Sequence, residues 1–191
     1  ISCLVGSEMC IRDSYWAEVI TGDAQGGKTV PVAPDTPLQG GETLDIAGVA
    51  LRVHHPGHAH TDHDLAIELP AEGVVFLGGL VVEPEVPSQG VPADARFRGQ
   101  LAAIRDAIAL DAEHYVPGRG QPGGVELPER AARFLDTLYR GVEQGYDDGL
   151  SDFEITDRLK AELKSFQEWY DFTHLGAVVS AIYLQVEQEQ F

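Results

Sequence analysis

Five of the seven histidines lie between His54 and His63, in a segment that also carries Asp62 and Asp64. Neutral imidazole is the commonest metal ligand in proteins, and imidazoles beside carboxylates favour zinc or iron over calcium and magnesium, which prefer oxygen. The types and spacing of these residues therefore indicate transition-metal chemistry. The competing interpretation is a polar loop whose histidines are solvated, and the spacing alone does not decide which side chains converge.

The sequence on either side predicts the elements that position this cluster. Residues 48–55 alternate apolar and polar side chains, as a half-buried strand does, and a Pro-Gly pair then ends the strand. Residues 64–69 alternate in the same way, and a turn with glycine leads into the apolar run 74–77 and a pair of glycines. The histidines are thus predicted to lie on a loop before a hairpin, and the hairpin ends in a second loop near the first.

In this order and spacing the chain resembles the second half of metallo-β-lactamase-fold hydrolases. In that family a strand runs into Gly-x-x-His-Thr-x-x-Asp, and a hairpin, Gly-Asp, a helix, a short strand and Pro-Gly-His-Gly follow. The matching segments here are Gly57 to Asp64, Leu69 to Phe76, Gly78-Gly79, and Tyr115 to Gly120. The resemblance implies an α/β (α+β) fold, half of an αββα sandwich followed by a helical C-terminal extension.

The resemblance assigns His60 as the third metal-binding histidine of the family, and two other positions depart from the pattern. Gly79 stands where the family has an aspartate that bridges two metals, and Arg119 stands where the last histidine ligand lies. Glycine has no side chain and guanidinium has no lone pair to give, so neither can coordinate. Arg119 is either structural or a residue that holds an anionic substrate through its fork of donors.

A literal interpretation of the motif competes with this alignment. His58-x-His60-x-Asp62-His63 spells the family's first-half metal motif, so His58, Asp62 and His63 are weaker candidates for ligands. That motif usually opens a helix, whereas residues 64–69 here predict a strand. The third-ligand interpretation is therefore favoured, and we expect the first-half motif to lie outside this chain.

The N-terminal residues differ in character from the rest. Residues 4–14 resemble the translation of a transposase adapter from sequencing libraries, so we treat 1–14 as a non-native tract. The expected organisation is then a C-terminal portion of a metallo-β-lactamase-like domain over 15–124 and a helical extension over 125–191. Both cysteines lie in the first tract, so they indicate no disulfide framework and leave the compartment undetermined, cytoplasmic only by default.

The net charge of −18 repels phosphate backbones and anionic membranes, which argues against nucleic-acid and membrane partners. A small-molecule substrate, with an anion held by Arg119, is the expected partner. Residues 80–95 are interrupted by prolines and glycines and are predicted to form a long loop. Helical stripes over residues 96–110 and in three segments after Gly124 predict amphipathic helices that form core or homo-oligomer contacts. Pro128 is expected at the first position of the first of these three helices, and the last helix is expected near 172–189. His114 and His174 are expected to be structural or solvent-facing.

In an intact relative, the resemblance implies Zn²⁺ and a metal-bound hydroxide that attacks an ester, thioester or lactone. This chain offers too few ligands, so we expect it to be inactive alone and to bind no metal or only weakly. One alternative is a metal-free binding protein of the same fold. The other is a facial-triad iron oxygenase in which His60, Asp62 and a distant histidine such as His114 hold the iron.

Overall fold

The structure, a computed structural model, describes residues 38–61, 64–86 and 95–190. The strands are β1 (Thr43–Ile46), β2 (Val49–His54), β3 (Ala66–Leu69), β4 (Val74–Val82) and β5 (His114–Arg119), and the helices are α1 (Phe97–Ile108), α2 (Glu126–Asp147), α3 (Asp152–Glu162) and α4 (Leu175–Glu189). Short 3₁₀ turns at Lys164–Phe166 and Phe172–His174 connect α3 to α4. The fold is mixed α/β, as the sequence predicted.

The five strands form one sheet in the order in which they occur along the chain. β1 to β4 pair antiparallel, and β5 lies parallel to β4 after a crossover through α1. Parallel neighbours need such a crossover, whereas antiparallel neighbours are joined by short turns. Gly73, at φ 63°, supplies the left-handed residue of the turn between β3 and β4.

Helices cover one face of the sheet near β4 and β5, and the core lies in this layer. Val75 and Leu77 of β4 are buried there with Tyr115 of β5 and with the inner sides of α1 and α2. The core continues without a break into α3 and α4. The predicted helical stripes are therefore core contacts.

The opposite face of the sheet is apolar as well. Side chains alternate between faces, and the register therefore places one apolar row across all five strands. The row consists of Leu44, Ile46, Val49, Leu51, Val53, Ile67, Leu69, Val74, Phe76 and Val116. None of these side chains belongs to the helix-covered core of the described residues, and Ile46 and Phe76 are 58% and 42% exposed.

Two glycines on α2 set the distance between α2 and α3. A Cβ atom on Gly141 would lie 2.4 Å from Leu159 Cδ2, and one on Gly145 would lie 2.4 Å from Ile155 Cγ1. Because no side chain stands between them, Leu159 and Ile155 reach the backbone of α2 and are fully buried. The C-terminal helices therefore pack as part of the same core as the sheet.

Three details differ from the sequence predictions. β4 runs to Val82 where a loop was expected from Leu80, because Val82 pairs with Arg119 of β5 beyond a register shift. α2 begins at Glu126, so Pro128 occupies the third helical position and not the first. The last helix begins at Leu175, because residues 172–174 form a 3₁₀ turn. Among the described residues, none of the helices is long and apolar enough to cross a bilayer.

Candidate metal site

The loop that carries the histidines is held by its backbone against the start of α1. Ala59 is fully buried, and its carbonyl accepts a 2.7 Å hydrogen bond from the N–H of Arg96. The carbonyl oxygen of His58 lies 2.0 Å from where a Cβ atom of Gly99 would be, so only glycine permits this approach. This anchor fixes the height of the loop above the sheet, with His58 and His60 on either side of it.

The clustered histidines have separate roles. His54 Nε2 lies 2.7 Å from Glu68 Oε2, and Arg52 makes an ion pair with the same carboxylate at 3.1 Å. The Nδ1 atom of His55 accepts a 3.2 Å hydrogen bond from the N–H of Gly57. These two histidines thus stabilise the end of β2 and the turn after it. The histidines that remain candidates for a shared metal site therefore lie on the loop after Gly57.

His60 lies against Gly79, as the resemblance implied. A Cβ atom built on Gly79 would lie 3.3 Å from His60 Cδ2 and 3.6 Å from Asp64 Oδ1. Gly79 lies within β4, so the second predicted loop is not formed there. The loop that carries His60 lies beside this strand, and an imidazole and a carboxylate border the space that a residue-79 side chain would enter. His58 is exposed, and Asp62 and His63 lie outside the described residues. β3, not a helix, follows this loop.

The last residues of β5, Pro117 to Arg119, reach the same place. A Cβ atom of Gly118 would lie 2.4 Å from the carbonyl oxygen of Gly78 and 3.4 Å from the backbone nitrogen of Gly79. Glycine at 118 is therefore needed for the two backbones to touch. The end of β5 therefore lies at the edge of the sheet where His60 lies.

Arg119 forms an ion pair within the chain. Its Nη2 atom lies 3.1 Å from Glu85 Oε1, and the arginine side chain is 64% exposed while that of Glu85 is 12% exposed. The carbonyl of Arg119 also accepts a hydrogen bond from the N–H of Glu83 at 3.2 Å. Arg119 is thus positioned by the segment after β4, with part of its guanidinium open to solvent.

A buried carboxylate that the sequence did not indicate lies beside the end of β5. Glu83 is 4% exposed, Arg130 Nε of α2 donates a hydrogen bond to its Oε1, and its Oε2 has no hydrogen-bond partner. Burial raises the pKa of Glu83, and the hydrogen bond from Arg130 partly opposes this rise. The pair attaches the first turns of α2 to the end of β4.

His114 lies away from His60. It begins β5 beside Val74, whereas Gly79 lies five residues further along β4, roughly 17 Å at the rise of a strand. His114 is exposed, 3.8 Å from Glu113. The structure therefore does not bring His114 and His60 together, and the iron triad built on that pair is wrong.

The C-terminal segment reaches the loop after β4, which the sequence did not indicate. The N–H of Tyr170 donates to the carbonyl of Pro84 and the N–H of Val86 donates to the carbonyl of Tyr170, each at 2.9 Å. His174, which was expected to be structural or exposed, is exposed and lies 3.2 Å from Asp171. These contacts join residues about 85 positions apart, so no local pattern signals them.

Comparison with known proteins identifies the family. The sequence profile of the Metallo-beta-lactamase superfamily matches residues 8–119, more than half of the chain. The chain belongs to this superfamily. It is similar to the metallo-beta-lactamase type 2 of Bacteroides fragilis, with 26% identity over 123 residues, 63% of this chain and 49% of that protein. It is also similar to the 2,4-dinitroanisole O-demethylase subunit beta of a Nocardioides species, with 27% identity over 111 residues, 58% of this chain and 34% of that protein.

A solved structure supports the fold. A metallo-beta-lactamase family protein from Thermus thermophilus superposes on 96% of this chain and 62% of its own, with a TM-score of 0.59 and 19% identity. The described part of the chain therefore has the metallo-β-lactamase fold. It spans about half of the Bacteroides protein that it matches and about a third of the Nocardioides protein.

The family generally uses zinc, so the side chains near His60 can be compared with the set of ligands that zinc requires. Catalytic zinc takes three protein ligands, usually histidine, carboxylate or cysteine. Within residues 38–61, 64–86 and 95–190, no group of three or more such side chains is placed to hold a metal. The described part of the chain thus supplies His60 and a neighbouring carboxylate, and this set does not fit a complete zinc shell.

Proposed function

We propose that this chain forms the C-terminal part of a metallohydrolase site of the metallo-β-lactamase superfamily, in which His60 is the ligand that it contributes. The observation that carries the proposal is the position of the His60 ring, 3.3 Å from where a Cβ atom of residue 79 would be, at the edge where the last residues of β5 also arrive. This is the edge at which the resemblance puts the family's metal. Bound zinc would activate water and polarise an ester, thioester or lactone.

Two observations support the view that the remaining ligands belong to a first-half segment. The chain spans 49% of the Bacteroides relative. The apolar row on the second face of the sheet, with Phe76 at 42% exposure, is the kind of surface that a second sheet covers in a sandwich. On this proposal the chain alone has little or no hydrolytic activity.

Arg119 is the proposed contact for an anionic group of the substrate. Its partly exposed guanidinium can donate to a carboxylate, and Glu85 holds it at the edge that His60 borders. The ion pair with Glu85 offsets part of its charge, so any anion competes with that carboxylate. Substrate specificity is determined by loops and by residues beyond those described.

A metal-free binding protein of the same fold is the second candidate. Gly79 lacks the family's carboxylate, and Arg119 is already paired with Glu85. Both observations are consistent with a site that has lost its metal. The two candidates differ in whether the chain binds zinc through His60.

Zinc titration against a chromophoric chelator tests the proposal, with His60→Ala beside His114→Ala as a matched control. His114 is an exposed histidine at the far end of the sheet. The proposal predicts weak zinc binding that His60→Ala abolishes and His114→Ala preserves. Equal binding by the parent and His60→Ala, or no binding by the parent, would favour the metal-free candidate. Chelator-sensitive turnover of a thioester or lactone by the parent chain would contradict the expected inactivity.

A further inference from the structure

A short segment after β4 bonds to both Arg119 and the C-terminal part of the chain. In residues 83–86, here called the 83–86 segment, the N–H of Glu83 donates to the carbonyl of Arg119 at 3.2 Å, and Glu85 Oε1 lies 3.1 Å from Arg119 Nη2. The same segment makes two backbone hydrogen bonds of 2.9 Å with Tyr170. One short segment therefore sets the position of Tyr170 relative to Arg119.

Tyr170 is paired with Glu85, the residue whose side chain contacts Arg119. The two residues form a parallel β-bridge, which places their backbones roughly 5 Å apart. Because side chains alternate between the two sides of a strand, two residues paired in a bridge point to the same side. The Tyr170 side chain therefore starts beside that of Glu85, on the side from which Glu85 reaches Arg119.

The backbone of Tyr170 is fixed, whereas its side chain is exposed. Trp169, just before it, packs against the core, with 4.9 Å between its ring centroid and that of Phe134. Asp171, just after it, has a φ of 63°, and its side chain is 8% exposed. Tyr170 itself is 63% exposed. An aromatic ring on a fixed backbone loses little conformational entropy when a ligand covers it, so Tyr170 is suited to contact one.

We propose that Arg119 and Tyr170 form one subsite for an aryl carboxylate, in which Arg119 binds the carboxylate and the Tyr170 ring packs against the aryl group. The inference rests on the proposed function, because it takes Arg119 as the contact for the anionic group of the substrate, and it adds the class of that substrate. The planar guanidinium matches a carboxylate, and the Arg119 side chain is 64% exposed although it is paired with Glu85. Aromatic rings pack on one another in offset or edge-to-face arrangements, so an aryl group suits the Tyr170 ring.

The test is a titration of the full chain with 4-fluorobenzoate or fluoroacetate, in which the broadening of the ¹⁹F signal of each probe is followed at constant ionic strength. Both probes carry a carboxylate, and only 4-fluorobenzoate carries an aryl ring. Tyr170→Ala is expected to weaken the binding of 4-fluorobenzoate by about two- to tenfold and to leave that of fluoroacetate unchanged. Tyr170→Phe keeps the ring and should retain both affinities. Phe153→Ala is the matched control, because Phe153 is an aromatic residue on α3 with 72% exposure, and it should change neither affinity.

Charge variants test the other half of the subsite. Arg119→Gln is expected to weaken the binding of both probes by about tenfold. Arg105→Gln, at an exposed arginine that is paired with Asp136, should change neither affinity. Glu85→Gln removes the competing charge and keeps an acceptor oxygen for Arg119, so it should tighten the binding of both probes. The hydrogen bonds of Tyr170 to the 83–86 segment are made by the backbone, so these variants retain its position.

The outcomes separate the inference from the proposed function. If Tyr170→Ala left the binding of 4-fluorobenzoate unchanged, or weakened both probes equally, the subsite would be overturned, because the ring would then make no contact with the aryl group. A parent chain that binds 4-fluorobenzoate no more tightly than fluoroacetate, or that binds neither probe, would also overturn it. Binding that persists in Arg119→Gln would overturn both the subsite and the proposed contact at Arg119. Zinc is left out of these titrations, so a chain that shows the expected pattern here and binds no zinc through His60 would keep the inference and contradict the metal part of the proposed function.

Discussion

Removing Arg130 should destabilise the protein through the carboxylate that it leaves behind. The Glu83 side chain is 3% exposed and that of Arg130 is 47% exposed, so the desolvation cost falls mostly on the carboxylate. Breaking a buried pair by deleting one partner costs about 3–5 kcal/mol, and the half-exposed arginine places the expected loss for Arg130→Leu at about 2–4 kcal/mol. For a chain of this size, a loss of about 3 kcal/mol corresponds to a fall in Tm of about 6–12 °C.

The loss should also depend on pH. Burial raises the pKa of Glu83 above its ordinary value of 4.5, and Arg130 opposes the rise through a hydrogen bond and its charge. A carboxyl group with a raised folded-state pKa contributes stability below its unfolded pKa and loses this contribution as the pH rises through the folded value. Without Arg130 the pKa rises further, so the free-energy difference between parent and Arg130→Leu should widen from about pH 5 to about pH 8.

Urea unfolding followed by tryptophan fluorescence measures this difference, since Trp169 packs against Phe134 and Phe166 in the core. Arg105→Leu is the matched control, because its ion pair with Asp136 is 2.9 Å long but lies on the surface, and its loss should cost less than about 1 kcal/mol. A loss in Arg130→Leu no greater than in Arg105→Leu, or one that does not change with pH, would refute the assignment of Glu83 as a buried, desolvated carboxylate.

Three further substitutions test other contacts by urea unfolding. Gly99→Ala should lower the free energy of unfolding by about 2–4 kcal/mol, because its Cβ atom would lie 2.0 Å from the His58 carbonyl oxygen and the loop would have to move. No change in stability would contradict the packing of that loop on α1. Gly145→Ala should cost about 1–3 kcal/mol by forcing Ile155 away from α2, and a gain from better helix propensity would mean that the two helices do not touch there. Ser151→Ala should cost about 1 kcal/mol, because Ser151 and Glu154 form a reciprocal capping box at the start of α3; no change would mean that the cap is not formed.

The strands and the main helices could be predicted from the sequence because their signals are local. Alternation over residues 48–55 and 64–69 predicted β2 and β3, and helical spacing over 96–110 predicted α1, within two residues at each end. The placement of His60 beside Gly79 came from the family resemblance and is consistent with the structure. Its role as a metal ligand stays a prediction.

Contacts between remote residues could not be predicted in this way. Glu83 and Arg130 are 47 positions apart, and a lone charged residue before a proline looks like an ordinary exposed loop. Glycine has a low helix propensity, so the sequence gives no reason for Gly141 and Gly145 within a helix. The reason is the close packing of Leu159 and Ile155 against them, which only the structure shows. The link between Tyr170 and Pro84 likewise depends on packing that brings the tail back to the sheet.

A crystal structure of the chain grown with Zn²⁺, with anomalous data collected at the zinc edge, tests the central claim most directly. We predict an anomalous peak within coordination distance of the His60 imidazole, next to Gly79. A peak at another pair, such as His54 and Glu68, with His60 directed away from Gly79, would contradict it.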